Sequence, residues 1–404
     1  PLGAAGGLSR MNDERDYGAL DAFLRETGRD GYLLHASADL ADQYYLSGFD
    51  APDPFVTLYA PERTALLVSG LEYGRATNEA RADVVRRYAD YDYHALAAEH
   101  GREEASRRVL AAFLDEFGAA DVATNERFPL GVADALRERD VTVTADRDDH
   151  VGDARAVKTE SEVEHVRDAQ RANEAAMAAA EDLLAEADVV DGVLLYRDDP
   201  LTAERVKEEI EVTLLRHGCA LDETIVACGG DAAEPHNRGR GPLRVNEPIV
   251  IDIFPREKES KYHADMTRTF VKGEPTEAAR EFYDVTERAF DAAFDALEPG
   301  TTGAAVHAAA CEVYEDAGYP TLRSDPDTET GFIHSTGHGV GLDVHEAPRL
   351  SEGAEEALEP GHVVTIEPGL YDPAVGGVRI EDIAVVTEDG YEDLTDYRVE
   401  FVVE

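Results

Sequence analysis

The chain has 404 residues, 43% of them hydrophobic, and its 86 acids against 38 bases give a formal charge of −48 at pH 7. That length predicts two domains with enough apolar material for a core in each, and so negative a surface excludes nucleic acid and anionic membrane as partners. Apolar runs such as PIVIDIF fall far short of the ~18 residues of a membrane span.

The opening PLGAAGGLSR has no apolar segment of signal-peptide type. Residues 1–10 are read as a tag or disordered extension ahead of a start at Met11, and a cytoplasmic location is expected. From there to residue 150 helical and strand-like pieces alternate: an amphipathic segment around Tyr17 to Arg25, strands at GYLLHAS, FVTLYA and TALLVSG, a helix from Glu103 to Phe117, and strands at DVAT and VTVTA. The pattern predicts an α/β domain over 11–150. Its histidines 35, 94, 100 and 150 share no spacing or glycine context and are assigned no role.

A polar boundary, HVGDARAVKTESEVEHVRDAQ, leads into a second domain over 155–404. Its first helix is predicted from Thr159 to about Glu186, with a capping box between Thr159 and Glu162 and an apolar stripe of Val163, Val166, Ala169, Ala172 and Ala176. VVDGVLLYRDDP is read as an irregular insert before a helix at Thr202 to Arg216. Strands follow at ETIVACGG, PIVIDIF and KYHADMTRTFV, then helices at Thr276–Leu297 and Thr302–Ala317, a His-rich stretch, and strands HVVTIEPGLY and GVRIEDIAVVTE. The three cysteines, Cys219, Cys228 and Cys311, form no CxxC. They are expected as reduced, buried thiols rather than a disulfide framework or thiolate site.

The acids run through both halves, which points to a folded protein with carboxylates over its whole surface. Such self-repulsion needs screening, and at molar salt the Debye length is only about 3 Å. The composition is therefore read as halophilic, of a salt-accumulating cytoplasm. With 86 acids in 404 residues, carboxylate spacing alone means little. An acid inside an apolar strand means more, because burying it is costly unless it is paired or binds a metal.

Three strands carry such acids: Asp252 in IVIDIF, Glu367 in VVTIEPG and Glu381 in VRIEDIAVV. Asp265 lies thirteen residues after Asp252; with PREKES as the turn between their strands, an odd separation brings both acids to one end and face of the pair. The stretch GFIHSTGHGVGLDVHEAP adds His334, His338 and His345 among glycines that exclude a helix and allow close backbone approach. Carboxylates with an imidazole suit Mn, Co or Fe, or else Zn, and two ions could share them.

ACGGDAAEPHNRG, IVIDIFPREKESKYHADMTRTF, HSTGHGVGLDVHEAP, TIEPGLY and GVRIEDIAVV, in this order, resemble the metal-dependent "pita-bread" peptidases, the family of methionine aminopeptidase, aminopeptidase P and prolidase. The preceding domain resembles the creatinase-type N-terminal domain of the proline-specific members. The expected fold class is thus α/β (α+β): a creatinase-like N-terminal α/β domain, then a pita-bread catalytic domain.

The resemblance implies two divalent ions, Mn²⁺ first, with Co²⁺, Fe²⁺ or Zn²⁺ as alternatives, held by Asp252, Asp265, His338, Glu367 and Glu381, of which Asp265 and Glu381 bridge. It makes His236 and His345 the substrate-contacting histidines and Glu367 the proton acceptor from the bridging water. It associates His334 and Arg379 with recognition of the proline side or terminal carboxylate. The interval between the two aspartates is two residues wider than the family's usual one. An even insertion in the turn preserves facing, so a difference confined to the PREKES loop is expected.

The implied activity is hydrolysis of Xaa-Pro bonds in small peptides with proline second, as a dipeptidase or aminopeptidase P, by a homodimer. Arg379 and the compact length favour the dipeptidase. Rival readings are a methionine aminopeptidase, disfavoured by the large N-terminal domain; a metal-independent creatinase-type hydrolase; a lyase on the same scaffold; and a non-catalytic peptide-binding module. HEAPR is not HExxH, and neither a P-loop GK[ST] nor a GxSxG elbow occurs.

Overall fold

The computed structural model describes residues 15–403, so the reading of residues 1–10 lies outside the described residues. The chain divides into two compact units, the first ending at Arg155 and the second beginning at Ala156.

In the first unit six strands form one sheet, β1 (Gly31–Ala36), β2 (Phe55–Ala60), β3 (Arg63–Val68), β4 (Val84–Arg87), β5 (Asp121–Thr124) and β6 (Thr142–Ala145), in the order β4-β3-β2-β1-β5-β6. β2 runs antiparallel to β1 and β3, and the remaining neighbours are parallel. The helix Arg102–Glu116 lays Val109, Leu110, Phe113 and Leu114 into a core with Leu33, Leu58, Leu67 and Val122. Short helices that the sequence pattern does not reveal occupy Ala41–Ser47, Tyr73–Glu79, Tyr93–His100 and Leu130–Arg137. Each is about two turns long, too short for a 3.6-residue period to stand out.

The second unit is built twice over from two helices against a sheet. Its first sheet contains β7 (Thr224–Cys228), β8 (Ile249–Ile253), β9 (Met266–Lys272) and, at the edge beside β9, a two-residue strand at Val402–Val403. The helices Glu160–Ala185 and Ala203–Arg216 pack on it through Ala176, Met177, Val206 and Ile210 against Val226, Ile249, Ile251 and Phe270. The capping box forms as predicted, with Glu162 N–H donating to Thr159 Oγ1 and Thr159 N–H to Glu162 Oε2. Such a cap contributes about 1 kcal/mol.

The other sheet holds β10 (Gly337–Gly339), β11 (Glu346–Leu350), β12 (Val363–Ile366), then, beyond a separate ribbon of β13 (Gly369–Asp372) and β14 (Gly376–Arg379), β15 (Asp382–Thr387) and β16 (Gly390–Asp393). Helices Glu277–Asp295 and Gly303–Asp316 bury Phe282, Ala289, Val306 and Tyr314 in one core with Val364, Ile366, Val378 and Ala384.

Three expectations need correction. VVDGVLLYRDDP is not irregular: Asp188–Val190, Val193–Tyr196 and Asp199–Pro200 form a three-stranded antiparallel ribbon. Its turns use Asp191 and Gly192, then Arg197 and Asp198, all at positive φ, and Asp-Gly is the residue pair that favours such a hairpin. The two C-terminal strands are each broken, HVVTIEPGLY at Glu367-Pro368 and GVRIEDIAVVTE at Ile380-Glu381. Of the free cysteines, Cys219 and Cys311 are buried but Cys228 is only half-buried.

Candidate metal centre

Asp252 stands in β8 opposite Thr267 of β9, one pair from Ile253 opposite Met266. Antiparallel partners share a face and side chains alternate along a strand, so Asp252, Thr267 and Asp265 face the same way. The thirteen-residue interval between the aspartates is absorbed by the turn, where Arg256–Glu257 pairs with Cys219–Ala220 and Arg256 bridges to His263.

Glu367 and Glu381 sit at the two strand breaks rather than in mid-strand. At the first, Glu367 N–H turns away to donate to the Thr336 carbonyl at 2.8 Å, and Pro368 has no N–H to continue the ladder. At the second, Glu381 N–H donates to the Thr267 carbonyl at 3.1 Å, while its own carbonyl accepts from Arg268 Nη1 at 2.8 Å. Arg268 is fully buried, bonded also to Asp382 Oδ1 at 2.8 Å, and so fixes the backbone from which Glu381 projects.

His338 comes from β10, between two glycines whose reason is steric. A Cβ at Gly337 would lie 1.9 Å from the Thr365 carbonyl oxygen, and one at Gly339 would lie 2.0 Å from that of Ala347. Only glycine lets β10 sit this close to its neighbours.

Ligand-capable atoms of Asp265, His338 and Glu381 all lie within 4.8 Å of one another, and all three residues are buried. His338 Nδ1 is 3.2 Å from the Gly339 carbonyl oxygen, which can only accept, so Nδ1 carries a proton. Nε2 is then left facing Glu367 Oε1 at 3.2 Å and Asp265 Oδ2 at 3.8 Å. A histidine that donates through one nitrogen to a backbone carbonyl and turns the other toward carboxylates is oriented as metal-binding histidines are.

Burial, compounded by Glu381 and Asp252, raises the Asp265 carboxyl well above its usual range. Burial, with Glu367 and Asp252, does the same to Glu381, and burial raises Asp252 against the opposing pull of Arg379. Glu367 goes the other way: burial pushes it upward, but the neighbouring His338 holds it at about 2. Asp252 Oδ1 is buried with no hydrogen-bond partner. Crowded carboxylates, an orphaned carboxylate oxygen and an imidazole directed among them are the donor set a hard or borderline divalent cation requires. The residues present fit such ions.

All nine residues singled out in the sequence line one cavity of about 950 Å³. Asp252, Asp265, His338, Glu367 and Glu381 gather at the candidate centre, and His236 and His345 are exposed on the cavity lining. The His345 ring lies 4.3 Å from that of His338; although it opens onto the cavity, partial desolvation by the protein around it, with His338 next, lowers it to about 4. His334 is half-buried, and Arg379 is buried with its fork committed: Nη2 to Asp252 Oδ2 at 2.6 Å, Nε to Thr267 Oγ1 and Nη1 to Tyr371 Oη, both at 3.0 Å.

Two contributors were not singled out. Thr267 donates to Glu381 Oε2 at 2.6 Å, and Tyr371 joins Arg379 to His334. The Thr267-Arg268-Thr269 run of β9 is wholly buried. Alternation from Asp265 could have found Thr267, but nothing local marks Tyr371.

A family model described as "Metallopeptidase family M24" matches residues 164–388, and one described as "Creatinase/Prolidase N-terminal domain" matches 18–167. The chain is 28% identical over 401 residues to the Xaa-Pro dipeptidase of Pyrococcus horikoshii, covering 98% of each. It is 35% identical over 252 residues to that of Pyrococcus furiosus, covering 61% of this chain and 65% of that protein. A solved Xaa-Pro dipeptidase from Bacillus anthracis superposes with a TM-score of 0.80 at 25% identity, covering 96% of this chain and 99% of that one.

Proposed function

Because the chain belongs to metallopeptidase family M24, we propose that it hydrolyses Xaa-Pro peptide bonds as a metal-dependent dipeptidase or aminopeptidase P, acting on small peptides with proline second. The observation that carries this reading is the buried grouping of Asp265, His338 and Glu381 on a cavity also lined by His236 and His345. The relatives named above supply the bond. In this reading residues 11–150 are the creatinase-like domain and 155–404 the catalytic one.

Asp252, Asp265, His338, Glu367 and Glu381 would hold two divalent ions, with Mn²⁺ favoured by the preponderance of oxygen donors. When bound, such ions supply Lewis acidity to the scissile carbonyl and lower the pKa of an attacking water. Glu367, held ionised, is the proton acceptor at a carboxylate oxygen. An Xaa-Pro bond is a tertiary amide without an N–H, and its leaving nitrogen must be protonated. Glu367 returns that proton, while His236 and His345 donate hydrogen bonds to the reacting carbonyl from the cavity wall. His345, lowered to about 4 by partial desolvation against the cavity wall, is neutral at pH 7 and keeps one N–H for this purpose.

The reading includes a cytoplasmic homodimer adapted to concentrated salt, supported by the charge of −48 and, for the dimer, by the family resemblance alone. The test is amino-acid release from Ala-Pro and Ala-Pro-Ala by metal-stripped protein in concentrated KCl, before and after Mn²⁺. Metal-restored cleavage is expected, and the peptide that is cut chooses between dipeptidase and aminopeptidase. No cleavage of either peptide by folded, metal-loaded protein would overturn the reading.

A further inference from the structure

Arg379, Tyr371 and His334 are joined in a row, and the chemistry of each atom fixes the direction of every bond. Arg379 Nη1 can only donate, so Tyr371 Oη, 3.0 Å away, accepts from it. The single phenolic proton is then free for His334 Nε2 at 2.9 Å. His334 Nδ1 lies 2.7 Å from the Ser335 carbonyl oxygen, which can only accept, so Nδ1 carries the imidazole proton and Nε2 the lone pair that receives the tyrosine. Burial lowers the His334 pKa and keeps the ring neutral.

Neither nitrogen of His334 is therefore open to a substrate. What the ring presents to the cavity is its carbon edge and face, backed by Phe332 with ring centroids 5.1 Å apart. Arg379 likewise spends its guanidinium on Asp252, Thr267 and Tyr371. We infer that Tyr371 is a positioning residue that locks His334 in one tautomer and orientation, making it an apolar wall for the proline ring rather than a polar ligand of the substrate. The inference rests on the Xaa-Pro reading and assigns the selectivity of that same site.

The surroundings are shaped to hold the hydroxyl in place. Tyr371 is 1% exposed, and its backbone exchanges hydrogen bonds with Gly331, at the start of the stretch that carries His334. A Cβ on Gly369 would come within 2.6 Å of Tyr371 Oη, so a glycine there leaves room for the phenol.

The test is Tyr371→Phe, which removes the hydroxyl and leaves Arg379 Nη1 and His334 Nε2 without their partner. Losing such a bond between buried groups lowers kcat/KM about 10- to 100-fold. With Mn²⁺-loaded protein the expected result is a loss of that size for Ala-Pro, a smaller one for Ala-Ala, and bound metal unchanged. The selectivity for proline then drops about tenfold. Equal losses on both peptides, or none, would overturn the inference, since a merely structural tyrosine would not discriminate between them.

A second readout needs no activity. In Zn²⁺-loaded protein labelled with ¹⁵N-histidine, and assigned through His334→Gln, His334 should show a proton on Nδ1. Its Nε2 resonance should move in Tyr371→Phe. A proton on Nε2, or an unmoved resonance, would refute the tyrosine's role. Failure of the wild type to cleave either Ala-Pro or Ala-Pro-Ala would overturn the peptidase reading and its proline wall, while the tautomer result still decides the lock.

Discussion

Asp42 in the first unit and Asp265 in the second are both buried, 6% and 4% exposed, yet their surroundings are opposite. Asp42 is matched atom for atom: Oδ1 accepts from Arg155 Nη1 at 2.8 Å and Oδ2 from Asn125 Nδ2 at 3.0 Å. Among the described residues Asp265 has no such donors, and it faces Glu381, Asp252 and Glu367, which drive its carboxyl well above the usual range after burial itself. A buried acid with its own cation is structure; a buried acid among other acids is incomplete without one. The same contrast recurs inside the second unit, where Asp382 has Arg268 at 2.8 Å and the adjacent Glu381 has only the Thr267 hydroxyl.

The largest expected effect breaks the contrast from the incomplete side. Asp265→Asn and Glu381→Ala should lose bound metal, read by elemental analysis, and drop Ala-Pro hydrolysis to the background rate. The metal-free Asp265→Asn protein should be no less stable than its metal-free parent, because the substitution removes a carboxylate that repels its neighbours. A lower midpoint in denaturant for that variant would show that Asp265 is structurally paired after all. His236→Ala should keep its metal and lose about 10²- to 10⁴-fold in rate if the histidine acts on the reacting groups.

From the matched side, Asp42→Ala removes the carboxylate that accepts from the buried Arg155 guanidinium. Breaking such a pair destabilises by about 3–5 kcal/mol, which denaturant unfolding in KCl would measure, with metal content unchanged. A change below about 1 kcal/mol would mean that the pair behaves as a surface one.

The contrast extends to imidazoles. His307 and His362 are 6% and 8% exposed, and burial lowers both to about 4, helped at His362 by Lys158. A folded pKa below the unfolded one means the unfolded chain takes up protons first. Stability from these two groups is therefore complete above about 6.5 and falls as the pH drops to about 4. Each contributes on the order of 1–3 kcal/mol to that decline. His362→Gln should flatten part of the curve of unfolding midpoint against pH; an unchanged curve would assign the decline to other groups.

Much of this contrast could be read from the sequence. The odd interval between Asp252 and Asp265 and the glycines around His338 carry their geometry locally, because strand parity and close backbone approach are local properties. What escaped is set by tertiary contact. Pro368 marks the break after Glu367 in the sequence, but no pattern marks the one at Glu381, whose backbone partner Thr267 comes from another strand. Arg379 looked like an open cation because its partners lie 127, 112 and 8 residues away. The ribbon at Asp188–Pro200 differs in kind: Asp191-Gly192 marks it in the sequence, and reading the segment as irregular passed over that hairpin signal.

The smallest effect tests the other end of the scale. Arg107 bridges Glu103 at 2.6 Å one turn earlier on its helix, but the glutamate side chain is 83% exposed. Glutamate preceding arginine by four residues is the favourable order, worth about 0.2–0.5 kcal/mol in dilute salt. In the concentrated salt that so acidic a chain calls for, the Debye length shrinks to about 3 Å, comparable to the bridge itself. Arg107→Ala should therefore shift stability by about 0.5 kcal/mol or less in low salt and by still less in molar KCl. Asp42→Ala, whose charge partner is shielded from solvent, should keep its full effect in both. If the two variants responded alike to salt, burial would not be what separates a structural acid from a surface one in this protein.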